Sequence, residues 1–321
     1  MKFVLAGGSG QVGRILARAF GAEGDEVVVL GRGPASSGVP GVARHVTWDA
    51  RTLGDWAAEV DGADVLVNLA GRNVNCRYDA HNRREIMDSR VASTRVVGEA
   101  IAAAKSPPAV WLQSSTATIY AHRYDAPNDE ATGILGGDEP GAPDTWRFSI
   151  EVAKAWERTC EEAQTPSTRK LLLRSAMTMS PDQGGVFDTL LGLVRRGLGG
   201  TSGNGRQYVS WIHEEDFVRS LRWLIDHEQI AGAVNLCAPE PLPNSLFMAG
   251  LRAAWGTHLG LPATRLMLEV GAAFLRTETE LVLKSRRVVP TRLLDGGFRF
   301  SYPRWPEAAR ELCQRWRDGH R

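Results

Sequence analysis

The run KFVLAGGSGQVGRILARAF, residues 2–20, limits what this chain can fold into more than any other stretch. A short apolar strand at residues 2–6 passes straight into a glycine-rich turn. Val12, Ile15, Leu16, Ala19 and Phe20 then recur at helical spacing on one face. The turn contains Gly8-x-Gly10-x-x-Gly13 and also Gly7-x-x-Gly10-x-x-Gly13. Glycines allow the tight bend and let a pyrophosphate approach the backbone, where free N–H groups and the positive end of the helix dipole hold it. Gly13 lets the helix lie close on the strand. Gly7, Gly8, Ser9, Gly10, Gln11, Val12 and Gly13 are therefore candidate cofactor-binding residues. The plainer alternative is a glycine-rich turn that holds no ligand.

Further strands are expected at 26–32, 44–50, 63–71, 109–115 and 169–177, with helices near 81–104 and 148–163. Strands alternating with helices imply parallel pairing by right-handed crossovers, and the near-continuous apolar runs imply a sheet covered on both faces. The expected fold class is α/β, a Rossmann-like doubly wound parallel sheet with a smaller, mainly helical C-terminal domain. Residues 1–180 would form the cofactor-binding domain. Residues 181–321 would form the second, partly interleaved with it. There, DFVRSLRWLIDH reads as a helix starting at Asp216, AVNLCAPEP as a strand, and 244–285 as mostly helical.

Gly31 and Arg32 end the second strand, where an NAD site carries a carboxylate for the ribose hydroxyls. A guanidinium there suits a 2′-phosphate by bidentate, charge-assisted bonds, so NADP(H) is expected rather than NAD(H). A solvated surface arginine is the bland alternative. Asp49, ending the third strand, either meets the adenine or forms a turn. Leu69, Ala70 and Gly71 end the fourth strand with little side chain, which lets a ribose pass close. Arg77 follows in a loop at the strand ends, where open α/β sheets bind ligands, and is placed to face cofactor phosphates.

Formal net charge is +1, so no overall field favours nucleic acid or an anionic membrane, and a small-molecule partner is expected. The four cysteines are scattered, which argues for thiols in a reducing compartment and against a zinc site. No apolar run approaches membrane-spanning length, and the first strand leaves no room for a signal peptide, so cytoplasm is the expected location.

GGSGQVG, NLAG, SSTATIY and LLRSAMTMSP together resemble the short-chain dehydrogenase/reductases of the extended, epimerase-like kind. SGNGRQYVSWIHEEDFV, NLCAPEPLPN and KSRRVVPTRLLDGGFRFSYP narrow the resemblance to an atypical, sugar-nucleotide-epimerase-like branch with a C-terminal domain of unknown function. The resemblance implies a Ser/Thr, a Tyr and a Lys acting together, the phenol exchanging a proton with the substrate oxygen while hydride moves. Thr116 takes the Ser/Thr role, with Ser115 the adjacent alternative. Registering the next helix through Glu157 puts Ser149 at the Tyr position and Ala153 at the Lys position, so both groups are missing. Lys154 is one residue off, about a hundred degrees around a helix. Tyr120 is the nearest phenol on the strand end; it is either a replacement acid or a packing aromatic.

Arg195, Arg196 and Arg206, with Arg286, Arg287 and Arg292, form two basic clusters suited to an anionic, nucleotide-linked substrate or to ordinary surface ion pairs. Trp211 and His213 lie two apart, and His213 is either titratable or a hydrogen-bonded structural residue. Two functions compete: an NADP(H)-dependent, epimerase-like oxidoreductase on a small polar substrate, and an NADP(H)-binding sensor or assembly factor with no turnover. Related enzymes often pair through helices of the sheet, so the resemblance admits a homodimer.

Overall fold

Six runs become strands of one sheet, and all but the third are apolar because they have side chains to bury on both faces. In the computed structural model, which describes residues 1–33, 40–264, 267, 278 and 280–320, these are β1 (Lys2–Ala6), β2 (Glu26–Gly31), β3 (Arg44–Thr47), β4 (Val65–Asn68), β5 (Val110–Thr116) and β6 (Arg169–Ser175), of which only the short β3 is half-exposed. After β7 (Met177–Met179), β8 (Tyr208–Val209) and β9 (Trp211–His213), which form smaller pairings, comes β10 (Gly232–Leu236). The main sheet has seven strands in the order β10-β6-β5-β4-β1-β2-β3, all parallel. From β1 the chain builds outward through β2 and β3, then crosses to β4 on the other side of β1. That reversal opens a crevice at the carboxyl ends of β1 and β4, where sheets of this topology bind ligands.

Crossovers cover both faces. They are α1 (Gln11–Ala22), α2 (Ala80–Ala103), α3 (Asp144–Glu162) and α5 (Glu214–Asp226), while α4 (Val186–Arg195) packs away from the main sheet. Alternate strand residues face opposite ways. Phe3, Leu5, Val27, Val29 and Val65 pack with Leu16 and Phe20 of α1 and with Phe217 and Leu221 of α5. Val4, Val28, Leu66 and Trp111 pack with Val96, Val97 and Ile101 of α2 and with Cys160 of α3. A further core joins α4 to α6 (Asn244–Trp255) and, beyond the short helical turns α7 (Glu280–Leu283) and α8 (Thr291–Asp295), to α9 (Trp305–Gly319). There Trp305 stacks on Phe247 with centroids 4.1 Å apart.

The AVNLC strand, as β10, lies beside β6 and forms an edge of the main sheet. One expectation changes, at the start of α5. Helix α5 starts two residues before Asp216, at Glu214, because the His213 ring accepts the Glu215 N–H at 3.2 Å and serves as its N-cap. Asp216 is buried inside the helix and accepts the amides of Ser301 and Tyr302 at 2.7 and 2.8 Å. Between 244 and 285, α6 and α7 are helical and 256–263 is not; most of the remainder falls outside the described residues.

Candidate active site at the carboxyl edge of the sheet

The glycine turn is tight for reasons inside the protein. Gly7 adopts φ +77°, and a Cβ on it would lie 2.8 Å from the Ala70 backbone. One on Gly8 would meet Leu5, and one on Gly13 would lie 2.2 Å from the Gly8 carbonyl oxygen. Gly10 differs: its nearest neighbour would be 3.7 Å away, so no protein atom demands its bareness. It is also the N-cap of α1, with no side chain to cap the first amides and no acidic residue in the first turn. Those amides have no intrahelical partners. Ser9 is exposed, Val12 packs on the core, and the Gln11 Nε2 is buried without a hydrogen-bond partner. Bare amides, an uncompensated dipole and an orphan donor fit a diphosphate.

Arg32 lies just past Gly31, exposed, and shares an open cleft with Asp49 and Trp48. Asp49 is already engaged. Its carboxylate accepts Arg51 N at 2.8 Å, Thr52 N at 2.9 Å and Thr52 Oγ1 at 2.6 Å. Those bonds, led by the Thr52 hydroxyl, hold its pKa down to about 2. The turn-forming alternative thus describes Asp49. On the other side, Leu69 N donates to Ala6 O at 2.8 Å and Ala70 N to Asn68 Oδ1 at 3.1 Å, so the ends of β1 and β4 are tied together. A Cβ on Gly71 would come within 3.1 Å of the Arg90 guanidinium. Arg77 does not stand alone: its Nη1 lies 3.4 Å from Glu278, which also accepts the Tyr78 amide at 2.9 Å.

From Arg90 the surroundings open into a cavity of about 120 Å³. Thr116, Ser149 and Ala153 all line it, so the strand end and the helix face that resemblance pairs do meet. Tyr78, Glu280 and Arg286 complete the polar wall, and Ile86, Phe148 and Val152 the apolar one. Ser149 Oγ donates to Glu280 Oε2 at 2.5 Å, and the Tyr78 phenol on the same wall has its pKa pushed up to about 12 by burial and the Glu280 charge. Arg286 Nε donates to Thr118 Oγ1 at 2.9 Å, and Lys284 Nζ to Thr118 O at 2.7 Å. Burial, with the Arg286 charge behind it, pushes the Lys284 pKa down to about 8. Glu280 and Lys284 escaped sequence reasoning. The only hint was an acid and a base at spacing four inside the apolar-spaced run ELVLK.

Tyr120 is not at this cavity. It is 2% exposed, its hydroxyl donates to Asn235 Oδ1 at 2.9 Å and accepts from Arg174 Nη1 at 2.9 Å. The packing-aromatic alternative describes it, and the suggested role as acid is corrected. Lys154 also misses the cavity and turns toward Gly137. Of the six arginines in the two clusters, Arg286 alone lines it. Arg195 covers Trp316, Arg196 bonds Gly192 O, Arg206 is exposed, Arg287 bonds Tyr124 O, and Arg292 bonds Ala231 O and Ala233 O. His213 bonds Glu311 at 2.8 Å and stacks on Tyr302; Trp211 is core. Among the described residues no group of acids, cysteines and histidines could hold a metal, and no helix is long and apolar enough to cross a membrane.

A doubly wound sheet with a glycine turn at its switch point and a Thr-ended fifth strand defines a protein of the extended short-chain dehydrogenase/reductase class. More particularly, the chain belongs to the NAD dependent epimerase/dehydratase family, whose model matches residues 3–237. A second model, a domain of unknown function (DUF1731), matches residues 264–312. The human epimerase family protein SDR39U1 is 31% identical over 97% of this chain and 99% of its own length. An epimerase family protein of Staphylococcus epidermidis is 28% identical over 98% of this chain and 99% of its own. The crystal structure of human SDR39U1 (isoform 2) with NADPH superposes with a TM-score of 0.84 at 29% identity, covering 98% of this chain and 99% of that one. A nucleoside-diphosphate sugar epimerase from Corynebacterium glutamicum gives 0.75 at 26%, covering 98% of this chain and 58% of that one.

Proposed function

We propose that this protein is an NADP(H)-dependent oxidoreductase of the epimerase-like kind, acting on a small polar substrate. The observation that carries this reading is continuity: Gly7 packs on Ala70, Gly71 abuts Arg90, and Arg90 lines the cavity that Thr116 and Ser149 share. A dinucleotide with its pyrophosphate at the amides of Gln11, Val12 and Gly13 would run along that line, over Leu69, Ala70 and Gly71. Arg32 would take the 2′-phosphate, with Gly31 and Asp49 shaping the adenine end and Arg77 at the rim. The human relative crystallised with NADPH supports this choice. NADP(H), when bound, supplies or accepts a hydride. Thr116 holds the substrate oxygen, Arg90 and Arg286 face any anionic group on it, and the apolar wall excludes water. A cytoplasmic homodimer paired through helices of the sheet belongs to the same reading, and sedimentation tests the pairing.

Fluorescence titration with NADPH and NADH tests the cofactor. Arg32→Ala should lose about 1.5–3 kcal/mol of NADPH binding, roughly ten- to a hundredfold in Kd, and leave NADH binding unchanged. Equal binding of NADH and NADPH by the unaltered protein would defeat the assignment. The absence of a phenol and an ammonium at Ser149 and Ala153 favours a second reading, an NADP(H)-binding sensor or assembly factor. Stereospecific loss of label from NADPH in the presence of small carbonyl compounds decides for the enzyme. Its absence, with a partner protein whose affinity follows NADPH, decides for the sensor.

A further inference from the structure

The cavity beside Thr116 contains a buried carboxyl group only half engaged by hydrogen bonds. Glu280 is 1% exposed. Its Oε2 accepts from Ser149, but its Oε1 is buried with no hydrogen bond, and Arg286 Nη2 comes no nearer than 4.0 Å. An unsatisfied buried carboxyl oxygen costs stability, and persists where something else is to meet it. Ser149, the residue that points to it, occupies the helix position where the family's chemistry calls for a phenol.

We propose that Glu280 is the acid–base catalyst of this protein: the C-terminal segment delivers through α7 the proton donor that α3 lacks. The inference rests on the oxidoreductase reading above and gives the domain of unknown function, residues 264–312, a task. In the reductive direction hydride from the reduced dinucleotide forms a C–H bond at the substrate carbonyl carbon, and the C=O π pair moves onto oxygen. Glu280 then gives its proton to that oxygen. Its O–H bond breaks, the new O–H bond forms, and the electron pair remains on the carboxylate. The dinucleotide is oxidised and the carbonyl reduced. Ser149, already bonded to Oε2, stabilises the carboxylate, and solvent returns the proton. The reverse reaction runs the same path backward.

Two neighbours are weaker claimants. The Tyr78 phenol has its pKa pushed up to about 12 by burial and the Glu280 charge, which the opposing Arg90 charge does not offset. Lys284 donates to the Thr118 carbonyl and does not line the cavity, so it positions α7. The groups around Glu280 act in both directions. Burial raises its pKa, while Arg286, the Ser149 hydroxyl and Lys284 lower it and Glu278 raises it; the net direction is up. The active acid is the protonated form, so kcat falls as pH rises through that raised value.

The size of the cavity sets the probes: NADPH with a panel of short-chain aldehydes and ketones. Glu280→Gln keeps the shape and removes the acid. It should cut kcat by about a hundredfold or more, with NADPH affinity unchanged. Tyr78→Phe should cost much less. Infrared difference titration of the unaltered protein with NADPH should show a carboxyl band, absent in Glu280→Gln, ionising above the ordinary glutamate value of 4.5. A band ionising at or below that value overturns the proposal even if no probe turns over. So does Glu280→Gln turning over like the unaltered protein, or Tyr78→Phe losing activity that Glu280→Gln retains. Failure of the unaltered protein to bind NADPH sinks the oxidoreductase reading instead, and is read separately.

Discussion

Gly10 and Gly13 stand three residues apart in one turn and meet opposite surroundings. A methyl at Gly13 would press on the Gly8 carbonyl at 2.2 Å, backbone against backbone, with nothing able to give way. A methyl at Gly10 would meet only the Gly7 carbonyl oxygen, at an ordinary contact of 3.7 Å, and at an ordinary φ of −72°. Gly13→Ala should therefore lower Tm sharply, whereas Gly10→Ala should keep Tm within a degree or two of the parent and lose NADPH affinity. Thermal melts with and without NADPH separate the two. If Gly10→Ala binds NADPH normally, no phosphate lies against that turn. The sequence marks all these glycines alike; only φ and neighbours tell the structural ones from the one left bare. Asp49 teaches the same lesson. Its three bonds stabilise the native turn above the unfolded pKa near 3.8, and that help fades as pH falls toward 2. Asp49→Asn should flatten the acid limb of the stability curve. The residues round a carboxylate decide its use, and they are not read from a motif.

At the scale of elements, one buried network ties α3 to β5 and β6. Glu157 accepts Ser115 Oγ at 2.5 Å and Arg174 at 2.9 and 2.8 Å, and Arg174 passes on to Tyr120. This fixes the helix face that presents Ser149 and Ala153. Breaking such a pair leaves a buried charge alone, so Glu157→Ala should cost about 3–5 kcal/mol in denaturant unfolding. Tyr120→Phe should cost about 1 kcal/mol and leave turnover intact. A large kcat loss in Tyr120→Phe with normal stability would return that phenol to the chemistry. Periodicity located these strands and helices well, because burial on two faces writes itself into the apolar runs. It could not say that β10 pairs with β6, nor that a histidine caps α5, since those depend on partners distant in sequence. Glu280 was illegible for the same reason: Ser149, its partner, lies in another element more than a hundred residues earlier.

The whole molecule depends on its second half. Helix α5 lays Phe217, Leu221 and Leu224 over the same face that α1 covers, and β10 hides the edge of β6. A fragment of residues 1–180 should therefore bind an apolar dye and melt without a cooperative transition. A sharp, reversible melt of that fragment would show the first half to be self-sufficient. For the intact chain, ligand binding only to the native state adds about 2.7 kcal/mol at a hundred times Kd, so saturating NADPH should raise Tm by several degrees. A Tm indifferent to NADPH would speak against any site at the turn.

Glu278 grips the loop of Arg77 and Tyr78, and Lys284 grips the strand end after Thr116, so late residues fasten early ones. A nascent polypeptide leaving the ribosome thus carries its coenzyme cradle long before its proton donor arrives. Truncated or proteolytically clipped copies would be left with an unfinished reaction chamber, unable to oxidise NADPH on stray carbonyl compounds.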